Sequence, residues 1–222
     1  MKIIAIVQAR ITSKRLPNKV LINYNHKTVI EHIYYRLKKS RYLSDIVFAI
    51  PSNKKNLILK NFLKTKNIKF FIGPENNVLK RFYKVSLEFN PNIIIRITAD
   101  CPLIDYKLMD KMIFKFLKYK KFDFLSNTIT RTFPVGLDVE IFSKNILFKT
   151  FKEATSKYDK EHVTPYMKRN FEYIEYKNKQ DYSHKRWTLD TLADHKKINK
   201  IFNFFKNKKK IYLWKEIIKL GF

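Results

Sequence analysis

Short apolar runs alternate with stretches of helical period through the first half of the chain. Runs at residues 2–7, 46–50, 68–72 and 92–97 gather Ile, Val and Phe between polar borders, and each predicts a strand. Helical spacing fills the intervals. Ile30, Ile33, Tyr34 and Leu37 recur on one face, and Thr28 with Glu31 supplies a capping box at the start of that helix. A second helix is predicted over residues 53–64 and a third over 76–88, with Leu79, Phe82 and Tyr83 inward. Beyond Asp105 a fourth carries Met109, Met112, Ile113 and Phe116 on its inner face. Strand and helix in regular alternation predict a mainly parallel sheet between layers of helices.

The second half is less regular. Residues 122–125 predict a strand, 128–134 a loop, and 137–142 a strand in which Leu137, Val139 and Ile141 alternate with Asp138, Glu140 and Phe142. Ser143 is placed to cap a helix reaching about residue 156. A short helical segment is expected over 159–169, strands over 171–176 and 185–189, and a helix over 191–205 with Ile198, Ile201, Phe202 and Phe205 in register. With no internal repeat and no flexible linker, this half is expected to extend the same sheet.

Composition narrows the class. The chain has 222 residues, 45% of them hydrophobic, which is enough for a sizeable core and argues against disorder. No stretch approaches the roughly 20 apolar residues needed to cross a bilayer. The first apolar run is too short for a signal peptide and passes directly into a basic loop, so a cytoplasmic protein with no membrane partner is expected. A single cysteine, Cys101, excludes an internal disulfide framework and fits a reducing compartment.

The formal charge of +28 points toward nucleic acid at first sight. The Lys, Ile, Asn and Phe that dominate the chain are spread throughout, as an AT-rich coding sequence would produce, and nucleic acid is therefore not the expected partner. The densest basic run, 206–210, reads as a solvated turn. Arginine is informative because it is scarce: nine of 47 basic residues. Where Arg persists, its planar fork is needed rather than a point charge. Arg10, Arg15, Arg81, Arg96, Arg131 and Arg186 lie in or beside segments that carry chemistry.

The first such segment follows the first strand, where Ala9, Arg10, Ser13, Lys14, Arg15 and Lys19 gather cations and hydroxyl donors at a strand end. Backbone N–H groups in such a loop form an anion-binding concavity, and the cations neutralise phosphate charge. The strand over 92–97 ends in Thr98-Ala-Asp-Cys-Pro, which places Asp100 where a parallel sheet presents its ligands. Basic loop and carboxylate together suggest a nucleoside triphosphate held with a metal ion.

Five motifs share an order along the chain: Val7-Gln-Ala-Arg-Ile-Thr-Ser-Lys-Arg-Leu-Pro-Asn-Lys-Val-Leu21, Arg96-Ile-Thr-Ala-Asp-Cys-Pro-Leu-Ile-Asp105, Arg131-Thr-Phe-Pro-Val-Gly-Leu-Asp-Val-Glu140, Glu161-His-Val-Thr-Pro-Tyr166 and Arg186-Trp-Thr-Leu-Asp-Thr191. Together they resemble the spore coat polysaccharide biosynthesis protein F (SpsF) family, which is similar to the cytidylyltransferases that make CMP-activated sugar acids. The resemblance implies a three-layer α/β/α nucleotidyltransferase fold of the GT-A-like, nucleotide-diphospho-sugar transferase type, with a mainly parallel mixed sheet. It further implies one domain over 1–222, with a nucleotide-binding half at 1–105 and a sugar-binding half at 106–222. CMP would pass from CTP to a sugar or sugar acid with release of pyrophosphate, in surface polysaccharide or glycan synthesis, and relatives suggest a homodimer.

By the same resemblance Arg10, Lys19 and Asp100 are expected to be catalytic, and Ala9, Arg10, Ser13, Arg15, Lys19 and Arg81 to hold the nucleotide. Asp100 and Asp190 would ligate Mg²⁺, which takes one or two carboxylates plus phosphates and waters. Asn127, Arg131, Gly136, Asp138 and Glu140 would line the acceptor sugar. The chain departs from the family pattern at Ile11-Thr12, where relatives usually carry a glycine before the serine, so the loop has less access to left-handed backbone angles.

Each assignment has a plainer counterpart. Asp190 precedes a helix and could serve only as its cap, whereas Asp105 is better placed than Asp100 to cap the helix that follows it. The segment 126–140 could be a twisted hairpin with polar surface residues. Glu161 and His162 read either as substrate contacts or as structural hydrogen-bonders, Arg96 as a nucleotide contact or an ion-pair partner, and the role of Arg186 stays open. Cys101 reads as packing rather than nucleophile. Three other functions remain: a glycosyltransferase, although Asp-x-Asp is absent near Asp100; a nucleotidyltransferase preferring another triphosphate; and an RNA-binding protein, which leaves Asp100 and Asp190 unexplained.

Overall fold

The computed structural model describes residues 1–119, 121–206 and 210–222. Strand β1 (Ile3–Gln8) leads through a loop and a short helical turn to a hairpin of β2 (Asn23–Tyr24) and β3 (Lys27–Thr28). Helix α1 (Val29–Leu37), β4 (Asp45–Pro51), α2 (Leu57–Thr65), β5 (Phe70–Gly73), α3 (Val78–Phe89), β6 (Ile93–Thr98) and α4 (Tyr106–Lys118) follow. The second half adds β7 (Phe124–Ser126), β8 (Glu140–Ser143), α5 (Lys144–Glu153), α6 (Lys157–His162), α7 (Pro165–Asn170), β9 (Tyr173–Glu175), α8 (Leu192–Phe204) and α9 (Trp214–Lys219).

One seven-stranded sheet runs through both halves in the order β5-β4-β1-β6-β8-β7-β9. The first four strands are parallel, β8 is antiparallel to β6 and β7, and β9 runs parallel to β7. Residues 3–7 of β1 are all buried, as a central strand covered on both faces requires. Side chains alternate between the two faces. Ile3, Ala5 and Val7 meet Ile33 of α1, Met112 of α4 and Ile198 of α8, while Ile4 and Ile6 meet Phe82 of α3 and Leu147 of α5. The result is the expected three-layer arrangement. Among the described residues no helix is long and apolar enough to cross a membrane.

Local chemistry places the elements. Thr28 and Glu31 form the capping box of α1, and Asn77, Asp105 and Ser143 accept hydrogen bonds at the starts of α3, α4 and α5.

Several boundaries differ from the sequence reading. Residues 185–189 form no strand; they make a single parallel bridge, Val135 with Arg186, and the turn closed by Leu137 N on Pro134 O takes the partner chain away directly after Val135. The strand predicted over 137–142 begins only at Glu140, since the side chain of Asn127 takes the hydrogen bonds of Leu137 and Val139 that a neighbouring strand would use. The helical segment at 159–169 is broken by a γ-turn at Val163 (φ 71°, ψ −54°), where Thr164 N donates to His162 O at 2.8 Å. Helix α5 stops at Glu153, short of residue 156. The β2–β3 hairpin and α9 were not expected; the hairpin turns on Asn25 (φ 47°) and His26 (φ 65°), without the glycine that usually marks such a turn. Of the basic run 206–210, residues 207–209 lie outside the described residues.

Candidate active site

The loop after β1 is folded around Ile11. That side chain is buried, its N–H donates to the Asn56 side chain at 2.9 Å, and its carbonyl accepts from Ser13 N at 2.9 Å and Asn18 N at 3.3 Å. Ala9 is anchored to β4 by donating to Ala49 O at 3.2 Å. Ser13 Oγ accepts from Leu16 N at 3.4 Å, which keeps the loop curled. The missing glycine is accommodated without strain at its own position: residues 9–17 all keep negative φ, and the left-handed step falls on Asn18 (φ 56°), a residue type that tolerates it. Asn18 turns the chain into the helical turn that carries Lys19.

Lys19 then points inward. Its Nζ donates to Asp100 Oδ2 at 3.1 Å and to Asp190 Oδ1 at 2.7 Å, although these residues lie 81 and 171 positions away. Backbone pairing reinforces the approach, with Leu189 N donating to Asp100 O at 2.8 Å. Lys19 is 9% exposed, so the contact is largely shielded from water. Asp190 also receives Arg15 Nη2 at 3.3 Å and Arg186 Nη2 at 2.7 Å, both on its other oxygen. Burial alone would raise the Asp190 carboxyl, but Lys19, Arg15 and Arg186 outweigh it and hold the group below its ordinary range.

The capping alternative for Asp190 does not describe this geometry. Thr191 is the N-cap of α8 and Asp194 closes its capping box, also accepting from Asp190 N at 3.0 Å. Arg186, without a role in the sequence reading, bridges the pair through Nε to Asp194 Oδ1 at 3.1 Å. Asp105 takes the capping role at α4, accepting from Leu108 N at 2.9 Å. Cys101 is buried beside Asp100, and burial pushes its thiol well above the ordinary value, so it is not poised as a nucleophile.

Arg10 is exposed at the rim of the loop. Arg81, expected to hold the nucleotide, is 3% exposed and its Nη1 donates to the carbonyls of Pro74 at 2.8 Å and Glu75 at 3.1 Å. It packs over Gly73, where an added Cβ would come within 2.8 Å of its Cγ. Burial first, and the nearby Arg10 charge second, lower its guanidinium to about 10. Arg81 therefore holds the loop before α3 in place.

Beside the Asp100 strand end lies a cleft of about 260 Å³, lined by Arg96, Thr98, Arg131, Asp138, Tyr158 and Lys168 among others. Three of the residues expected to line the acceptor sugar are engaged with the chain itself. Asn127 is buried, its amide donating to Leu137 O at 2.8 Å and accepting from Val139 N at 2.9 Å. Gly136 (φ 108°) approaches the chain itself rather than a ligand, for an added Cβ would lie 2.8 Å from Trp187 C. Glu140 is 3% exposed and accepts from Arg96 Nη1 at 2.5 Å, Thr164 Oγ1 at 2.9 Å and Lys168 Nζ at 2.7 Å. Arg131 and Asp138 do face the cleft, joined to each other by two hydrogen bonds of 2.5 and 2.9 Å. His162 lines the mouth next to Tyr158, and Glu161 is exposed on α6.

Gly136→Ala combines a strained φ with a backbone clash, and we expect it to destabilise the fold by about 3 kcal/mol. A urea midpoint unchanged from the parent protein would show that the 136–188 contact is loose.

Residues that the motifs did not single out complete the site: Asn56 under the loop and Lys168 in the cleft. Asn56 acts through a side-chain bond to a distant backbone, which leaves no periodic trace, and Lys168 is hidden among the many lysines.

A family model described as "Cytidylyltransferase" matches residues 4–218. A cytidylyltransferase structure from Leptospira borgpetersenii superposes with a TM-score of 0.94 at 31% identity, covering 99% of this chain and 93% of that one. An uncharacterised protein of Methanocaldococcus jannaschii is 38% identical over 88% of this chain and 81% of its own length. The spore coat polysaccharide biosynthesis protein SpsF of Bacillus subtilis is 28% identical over 90% of this chain and 86% of its own.

Proposed function

The chain belongs to the cytidylyltransferase family, and from that premise we propose that Lys19, Asp100 and Asp190 mark the centre at which it transfers CMP from CTP to a sugar acid. The acceptor hydroxyl oxygen bonds to the α-phosphorus, the bond to pyrophosphate breaks, and the hydroxyl proton is lost to water. The observation that carries this reading is the meeting of two carboxylates from distant parts of the chain, Asp100 after β6 and Asp190 before α8, on one cation next to a basic loop.

Asp100 and Asp190 fit a divalent ion, magnesium being the one expected. Their oxygens already share a single positive centre, the Lys19 ammonium. Among the described residues no cluster of three or more His, Cys, Asp or Glu is arranged to hold a metal by itself, which suits an ion that completes its shell from phosphates and water. When bound, such an ion neutralises charge on the phosphates. The exposed Arg10, Lys14 and Arg15 of the loop orient and neutralise the same groups, and Ser13 shapes the cradle. In the neighbouring cleft Arg96, Arg131 and Lys168 outnumber Asp138 and Glu140, which favours an anionic acceptor over a neutral sugar. A place in surface polysaccharide synthesis, as the name of the SpsF relative suggests, fits this reading.

Pyrophosphate release provides the test. CTP, UTP, ATP and GTP are each combined with a panel of eight- and nine-carbon 2-keto sugar acids and with neutral sugars, in the presence of Mg²⁺. We expect release only from CTP and only with an acid acceptor. Release with neutral sugars alone, or equally from all four triphosphates, would overturn the assignment.

A further inference from the structure

Building on that reading of the site, we propose that Lys19 is the resident cation of the two-carboxylate clamp, and that it must leave before a metal ion can bind there. Lys19 Nζ occupies the shared face of the clamp, touching Asp100 Oδ2 at 3.1 Å and Asp190 Oδ1 at 2.7 Å. The second oxygen of Asp190 is held from the opposite side by Arg186 at 2.7 Å and Arg15 at 3.3 Å. A divalent ion using both aspartates would therefore compete for oxygens that already belong to the ammonium. Two cations cannot share that space in a shielded site without strong repulsion.

Charge balance points the same way. Lys19, Arg15 and Arg186 face Asp100, Asp190 and Asp194, so three cations meet three carboxylates and the cluster is neutral as it stands. A metal ion arriving alone leaves two uncompensated positive charges. Arriving on a triphosphate, it brings more negative charge than its own, and the displaced ammonium has phosphate oxygens to move to. Lys19 lies on a helical turn directly after the exposed Pro17 and Asn18, and its four-carbon stem allows the head group to swing without moving the backbone. The device makes metal and nucleotide bind as one ligand. It also keeps Asp100 and Asp190 together when neither is present.

The test counts bound Mn²⁺ by loss of the free-ion electron paramagnetic resonance signal, using the full chain without nucleotide. Lys19→Met is expected to bind Mn²⁺ alone at least about tenfold more tightly than the parent, a coupling of ordinary size between two ligands of one site. Lys19→Gln, which keeps a polar head group and secures the comparison should the methionine variant fail to fold, is expected to move in the same direction. Mn²⁺ affinity no higher than the parent's in a folded variant overturns the proposal. Calorimetry of the parent with Mn²⁺ and the α,β-methylene analogue of CTP separates the two levels. Absence of binding there defeats the nucleotide reading itself, whereas binding there without a gain in the Lys19 variants defeats the latch alone.

Discussion

Replacing Asp100 with alanine is expected to lower pyrophosphate release from CTP roughly 10³-fold, equivalent to about 4 kcal/mol of transition-state stabilisation. The fold should be nearly untouched. Asp100 is a partly exposed side chain, and its shielded partner Lys19 is not left unpaired because it keeps its shorter contact with Asp190, so the loss is that of one hydrogen bond, about 1 kcal/mol. In a chain of this size that corresponds to a melting shift of roughly 2–4 °C. Steady-state kinetics with a parallel thermal melt makes the distinction. Metal-dependent turnover near the parental rate would remove Asp100 from the chemistry.

The largest stability effect is expected at Glu140. Four side chains from three parts of the chain converge on this carboxylate: Arg96 of β6, Thr164, Lys168 of α7 and, at 3.4 Å, Thr128. Removing it leaves two cations beside the cleft without their common counter-charge. Breaking a buried pair from one side costs about 3–5 kcal/mol, so Glu140→Ala is expected to lower the melting temperature by roughly 10 °C. Its pH dependence has a definite sign. Burial alone would raise the Glu140 carboxyl, but Arg96 and Lys168 overcome it and the group stays below its ordinary value of 4.5. A carboxyl depressed in the folded state stabilises above its unfolded value and loses that contribution as pH falls through the folded one. The stability gap between the parent and Glu140→Gln, read from urea midpoints, is therefore full at pH 7 and begins to close below about pH 4.5. A gap that stays constant down to acid pH would mean that Glu140 is already neutral in the fold.

These two side chains also show what the sequence discloses. Asp100 ends a clean apolar strand, and a carboxylate at such a strand end is legible from pattern alone. Lys19 and Asp190 could be joined to it only through the resemblance of their motifs to those of the sugar-acid cytidylyltransferases. The core was legible from pattern as well: β1, β4 and β6 and the capped helices α1 and α4 each carry local signals that agree with the final packing. Glu140 was read as touching the acceptor, because nothing local records that Arg96, Thr164 and Lys168 will surround it. Nor does anything local record that Asn127, Gly136 and Arg81, each a polar or flexible residue in a chemical-looking segment, also meet the backbone at Leu137, Trp187 and Pro74. Long-range bonds between a side chain and a main chain have no period. The strand expected at 185–189 failed on a related point, since alternation predicts a face but not whether a neighbour will be long enough to pair with.

The γ-turn at Val163 limits what evolution can do with the cleft beside Asp100. A branched residue at φ 71° is held against its own torsional preference, and the turn is what delivers the next hydroxyl, that of Thr164, to Glu140. Glycine would relieve the torsion, yet the Val163 side chain is wholly enclosed in the core beneath α3 and α5, and its loss would open a void. Ease of backbone and completeness of packing thus pull in opposite directions at one position. Relatives that adapt to a differently shaped acceptor would be expected to change the rim at Tyr158 and His162 long before they change this corner.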